Sequence, residues 1–175
     1  MLEYNTGEKI TKNSKAIFAV VAVALTSAGP SAAQSLEYWG EAGGWDVLVD
    51  PSLGDECLIQ AAYQDGSIVR IGFDLNVTEG YLTAFNEAWG DIEEGASYDV
   101  TFALDGEIYD GTATGMYLEG VPGADIYFDS EDFLWDIAAR QTMELSNANG
   151  VVMTIDLGGT MVGLEAALEC QDENS

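Results

Sequence analysis

The residues able to do chemistry in this chain are few in kind. There are two cysteines, four tryptophans and 31 carboxylates, and there is no histidine at all. Without histidine, Ser-His-Asp and Cys-His hydrolases in their usual form are excluded, as are His-ligated zinc and haem centres. Cys57 and Cys170 stand far apart. An even count in an exported chain reads as a disulfide, and two buried thiols or a metal pair are the alternatives. With no other cysteine, zinc is a poor fit. Gly158-Gly159-Thr160 opens a helix after a strand and offers backbone N–H groups. It lacks a following lysine, so a tight turn with Thr160 as helix cap explains it better than a phosphate loop.

Oxygen chemistry remains. Calcium takes six to eight hard oxygen ligands, and Asp125, Asp129, Glu131 and Asp132 lie close in sequence where a loop enters a helix. No EF-hand register is present, and helix capping with a solvated acidic face is the plain alternative. Two carboxylates at suitable separation hydrolyse glycosides, and Trp39, Trp45, Trp89 and Trp135 offer stacking surfaces for sugars. In so acidic a chain carboxylate pairs arise by chance, and tryptophans are ordinarily core residues. No catalytic residue is assigned.

The N-terminus reads as an export signal. Lys9, Lys12 and Lys15 precede the apolar run Ala16–Leu25, and Gly29-Pro30 breaks it before the small residues Ser31-Ala32-Ala33. Ten residues rise about 15 Å as a helix, half a bilayer core. Cleavage is expected after Ala33, leaving an acidic domain over residues 34–175. That cleavage removes three lysines and two glutamates, taking the formal charge from −26 to −27 and leaving Arg70 and Arg140 as the cations. Such a charge opposes binding to nucleic acid and to anionic membrane surfaces. It suits salty surroundings, where ions screen self-repulsion. Both arginines are expected to meet carboxylates.

The elements that must position these groups are mostly strands. Residues 34–43 show little pattern. Trp45, Val47 and Val49 then alternate as a strand, Pro51–Asp55 turns, and Cys57–Tyr63 and Ser67–Leu75 form a hairpin about Asp65-Gly66. Residues 78–92 are ambiguous; a strand followed by a helical turn around Trp89 is preferred to a helix. Tyr98, Val100, Phe102 and Leu104 share a strand face, with turns expected at Asp105-Gly106 and Asp110-Gly111. Pro122-Gly123 reads as a loop and Ile126–Phe128 as a short strand. A helix capped by Asp129 or Ser130 follows, with Phe133, Leu134, Ile137 and Ala138 as its buried stripe and Arg140 in its last turn. Strands over Thr142–Leu145 and Val151–Leu157 flank Asn149-Gly150, and a helix ends at Cys170. The expected fold is mainly β or α+β: an antiparallel sandwich or open barrel with two short helices in the C-terminal third.

Three stretches carry a resemblance: Gly44-Trp45-Asp46-Val47 leading to Cys57, Asn86-Glu87-Ala88-Trp89 before Tyr98, and Leu157-Gly158-Gly159-Thr160 through Ala166-Ala167-Leu168 to Cys170. Their layout resembles small exported α-proteobacterial proteins related to the invasion-associated locus B group, from which this chain departs in its acidity. The resemblance implies a periplasmic or surface location and a β-rich fold, and carries over no catalytic residue. The expected role is a non-catalytic periplasmic or secreted module that binds another envelope or secreted protein without a cofactor. A calcium-dependent binding module and a carboxylate-based carbohydrate-active enzyme are the alternatives.

Overall fold

A computed structural model describes residues 35–174. The expected signal segment, residues 1–33, lies outside them. The described chain forms ten strands: β1 (Glu37–Ala42), β2 (Trp45–Asp50), β3 (Glu56–Ala62), β4 (Ile68–Asp74), β5 (Glu79–Phe85), β6 (Ser97–Leu104), β7 (Glu107–Leu118), β8 (Val121–Phe128), β9 (Thr142–Asn147) and β10 (Gly150–Asp156). Helix α1 (Glu131–Ala138) separates β8 from β9, and α2 (Thr160–Asn174) follows β10. All strands join one sheet in the order β1-β2-β3-β4-β5-β8-β7-β6-β9-β10, and every pairing is antiparallel.

The alternation of residue types decides which face is inner. Trp45, Ile59, Ile71, Leu82, Ile126, Leu104, Leu145 and Ile155 come from eight strands, yet all are buried in one cluster with Leu134 and Ile137 of α1 and Leu164 of α2. A flat ten-stranded sheet could not bring its two halves to one core, so the sheet curls around the helices. Its two ends approach each other where the β1–β2 turn meets the start of α2. Gly43 and Gly159 both have positive φ, and their backbones touch so closely that neither could carry a Cβ. Beside them Trp45 Nε1 donates to the Gly158 carbonyl at 3.2 Å, and Tyr63 OH donates to the Asp156 carbonyl at 3.0 Å. This is the mainly antiparallel β fold with two helices that the alternation predicts.

Cys57 of β3 and Cys170 of α2 are joined by a disulfide, their Cα atoms 6.1 Å apart and 113 residues apart in sequence. The bond ties the last helix to the sheet, and Cys57 N–H also donates to Gln171 Oε1 at 2.9 Å. In the chain-entropy view, closing so long a loop stabilises the fold by about 4–5 kcal/mol.

Several local expectations are corrected. Residues 37–42 form the edge strand β1, because pairing with β2 supplies the order that their own pattern does not. Asp110-Gly111 and Pro122-Gly123 lie inside β7 and β8 and are not turns. Both glycines make room for aromatic rings: a Cβ on Gly111 would stand 2.9 Å from the Phe102 ring, and one on Gly123 would collide with Phe85. The turn between β7 and β8 is Glu119-Gly120, with φ of 51° and 88°. Asp105-Gly106 is a turn of the same kind, where it was expected, with φ of 49° and 90°. Residues 79–85 are strand and Glu87–Trp89 a single 3₁₀ turn. Ser130 is the α1 cap, its Oγ accepting from Asp132 N–H. Thr160 does not cap α2: the helix begins at it, and its buried Oγ1 has no partner. Arg140 lies beyond the end of α1 rather than in its last turn.

Candidate functional site

On the outer face, strands β2–β5 and β8 carry side chains in three cross-strand rows. The first runs Asp46, Gln60, Arg70, Thr83, Asp125. The second runs Leu48, Leu58, Gly72, Tyr81, Tyr127. The third sets Asp50 beside Glu56, and Asp74 opposite Glu56 on the far side, two residues past the Leu58–Gly72 pair. The middle row is apolar. Leu48, Leu58 and Tyr81 form a small buried cluster under Leu36. Gly72 is required there, since a Cβ would come within 2.8 Å of the Tyr81 hydroxyl. Tyr127 packs on Tyr81 with ring centroids 6.1 Å apart.

The polar rows on either side are therefore partly sealed from water. In the first, Thr83 Oγ1 donates to Asp125 Oδ1 at 2.7 Å. Burial pushes the Asp125 carboxyl up, the Thr83 bond opposes this, and the nearby Asp74 charge adds to it. Arg70 Nε donates to Gln60 Oε1 at 2.9 Å, and the guanidinium lies over the Phe85 ring 5.6 Å from its centroid. Burial lowers its pKa, against the fields of Tyr81, Asp50 and Glu119. Arg140 meets Glu107 at 3.1 Å as expected. Arg70 makes no ion pair within the described residues and settles for an amide and an aromatic face.

The third row is the more unusual. Glu56 is 4 % exposed. Its Oε1 accepts from Leu75 N–H at 3.0 Å and Asn76 Nδ2 at 3.2 Å, while Oε2 is buried with no partner among the described residues. Asp74 Oδ1 accepts from Asn76 N–H at 2.9 Å and its Oδ2 from Tyr127 OH at 3.3 Å. Asp50 Oδ1 takes Ser52 N–H at 2.9 Å and Ser52 Oγ at 2.5 Å. Burial pushes Glu56 up; the Leu75 N–H opposes the shift, and the Asp74 and Asp50 charges add to it. Burial with Asp125 and Asp74 pushes the Tyr127 hydroxyl up to about 12.

At one end of the sheet lies a groove of about 660 Å³. The β3–β4 turn, the segment after β5 and the β7–β8 turn enclose it. Ile68, Phe85, Leu118 and Val121 supply its apolar lining, and Asp65, Glu87 and Glu119 its carboxylates. Asn86 fixes the corner: its Oδ1 accepts from Ala88 N–H at 2.7 Å and its Nδ2 donates to Ser67 Oγ at 2.7 Å. Asp65 accepts from Ser67 N–H at 3.0 Å, which lowers its pKa. A smaller recess of about 440 Å³ lies by β6 and β7, against Asp99, Thr101, Asp110 and Asn147.

The four calcium candidates are spread along this region. Asp125 is on the outer face against Thr83, Asp129 follows β8 and is exposed, Glu131 opens α1, and Asp132 is exposed on that helix. Among the described residues no three His, Cys, Asp or Glu side chains converge as a metal site. Of the tryptophans, Trp45 is core, Trp39 Nε1 donates to Glu173 Oε2 at 3.0 Å, and Trp89 and Trp135 pack partly buried against the core. None lines the groove. Neither the groove nor the carboxylate row was visible in sequence: the groove joins turns that are distant in the chain, and the carboxylate row depends on the register between neighbouring strands.

What the fold defines is a class: a curled antiparallel β protein clamped to its C-terminal helix by a disulfide, a bond compatible with an oxidising compartment. No helix among the described residues is long and apolar enough to cross a membrane. No family model matches the chain, and neither a curated protein nor a solved structure matches it.

Proposed function

We propose that this is a non-catalytic, calcium-independent binding protein of the periplasm or cell exterior, reached after cleavage of the N-terminal signal. Its end groove receives a basic, partly apolar segment of an envelope or secreted protein. The observation that carries this reading is the groove itself, an apolar lining with Asp65, Glu87 and Glu119 around it. None of the three is ion-paired within the described residues. A lysine or arginine side chain lays its alkyl stem on apolar surface while its head meets carboxylates, and a chain with 31 acidic residues against five basic ones steers such a segment inward. The disulfide supports the compartment, and the inferred signal supports the route.

The test is site-directed cross-linking. The processed chain, carrying a photo-cross-linking side chain at Ala88, is mixed with envelope extract with and without calcium. The expected result is one cross-linked partner, independent of calcium, weakened by salt and lost when Asp65, Glu87 and Glu119 are all changed to their amides. Cross-linking that survives the triple change, or that requires calcium, contradicts the reading.

A further inference from the structure

We infer that Glu56 is the proton-binding site of the outer face, and that its ionisation loosens the β4–β5 turn from β3. Asp50, Glu56 and Asp74 stand side by side on three neighbouring strands, on one face and in one row. Adjacent strands are about 4.8 Å apart. On strands so close, each ionised carboxylate raises the cost of ionising its neighbours. None of the three is ion-paired among the described residues; the cation on this face, Arg70, feels the Asp50 charge but donates to Gln60 and lies over the Phe85 ring.

The middle member is also the most buried, and one of its oxygens has no partner. Asp50 accepts from Ser52, and Asp74 from Asn76 N–H and Tyr127 OH, and among the described residues neither has a buried oxygen left without a partner as Glu56 has. Glu56 is thus where a proton relieves the row at least cost. The other groups bearing on it do not replace that proton. The Tyr81 hydroxyl of β5 is raised by burial and by Asp50, Asp125 and Glu56. The Tyr127 hydroxyl of β8 donates to Asp74, and Glu79 pairs with Asp74 at the strand end.

The consequence falls on residues 75–78. Glu56 Oε1 holds Leu75 N–H and Asn76 Nδ2, and this turn exposes Leu75 and Val77. When Glu56 ionises, the charge stands beside two others with Oε2 unsolvated, and water reaches it by opening the turn. A carboxyl that binds its proton more tightly in the fold contributes stability in full below its unfolded pKa. That stability is lost as pH rises through the folded pKa.

Two readouts test this at fixed NaCl. The first compares unfolding equilibria of the wild type and Glu56→Gln, which is neutral at every pH. The wild-type unfolding constant should rise relative to the variant's, approaching tenfold per pH unit between the unfolded glutamate value of about 4.3 and the folded one. The second needs no variant: hydrogen exchange at Leu75 N–H, corrected for the intrinsic rate, should report more frequent opening as pH rises through the same window. A constant ratio with flat corrected exchange overturns the inference. So does millimolar calcium chloride stabilising the wild type but not Glu56→Gln at pH 7, which would make a cation, not a proton, the neutralising partner.

Discussion

The two faces of the first five strands are built by the same alternation and solve opposite problems. The inner face buries Val47, Ile59, Ile71 and Leu82 in the main core with residues of both helices. The outer face buries Leu48, Leu58 and Tyr81 in a narrow strip and, by doing so, takes Glu56 and Asp74 out of water with them. Stability on the inner face is a matter of packing. On the outer face it depends on what neutralises the carboxylates. Burial is thus not one property in this protein: the inner face responds to changes of volume, and the outer face to pH and salt as well.

The largest effect should come from the bond that holds the inner face shut. Changing both Cys57 and Cys170 to serine should cost about 4–5 kcal/mol, measured by denaturant unfolding, and the loss should be insensitive to pH. A loss below 1 kcal/mol would mean that packing alone holds α2 in place. Next, Leu82→Ala on the inner face should cost about 2–5 kcal/mol by creating a cavity. Ile108→Ala should change stability by less than about 0.5 kcal/mol, since Ile108 is 72 % exposed. Similar costs at the two sites would break the distinction between sealed and solvated positions. Gly123→Ala should cost about 1–3 kcal/mol by forcing the Phe85 ring aside.

Smaller and more diffuse is the effect of salt. Molar NaCl should raise the melting temperature by screening repulsion among the carboxylates; sulfate is unsuitable because it strengthens hydrophobic burial as well. An unchanged melting temperature would mean that the charges are already compensated.

What could be read in the sequence was whatever is local. The Asp65-Gly66 and Asp105-Gly106 hairpins, the helix capped at Asp129 or Ser130, the stripes on β2 and β6 and the existence of β10 all follow from short-range pattern. The disulfide follows from the even cysteine count taken with the expected export signal. What escaped depends on partners far away. Gly111 and Gly123 looked like turn residues and are spaces for Phe102 and Phe85. Edge strand β1 is ordered by β2. Tyr98, expected with Val100 and Phe102 in the core, is partly exposed, and its hydroxyl accepts from Glu93 N–H. Nothing in the sequence singles out Glu56 and Asp74, and only the pairing of β3 with β4 sets them side by side. Arg70 looked destined for a carboxylate and found Gln60 and Phe85.

The comparison of faces is tested most directly by following carboxyl carbon chemical shifts against pH by NMR at fixed NaCl. Glu56 and Asp125, raised by burial, should titrate above the usual carboxylate range. Asp105 is exposed and accepts from Thr142 and Gln141 N–H. Asp65 is exposed and accepts from Ser67 N–H. Both should titrate below that range. The two pairs then act on stability in opposite senses: the raised pair loses its contribution as pH rises through its folded values, and the lowered pair as pH falls through its own. A clear separation, with Glu56 and Asp125 high, is the predicted result. Glu56 titrating together with Asp65 and Asp105 would contradict the account, because its carboxylate would then already be neutralised or solvated in the fold.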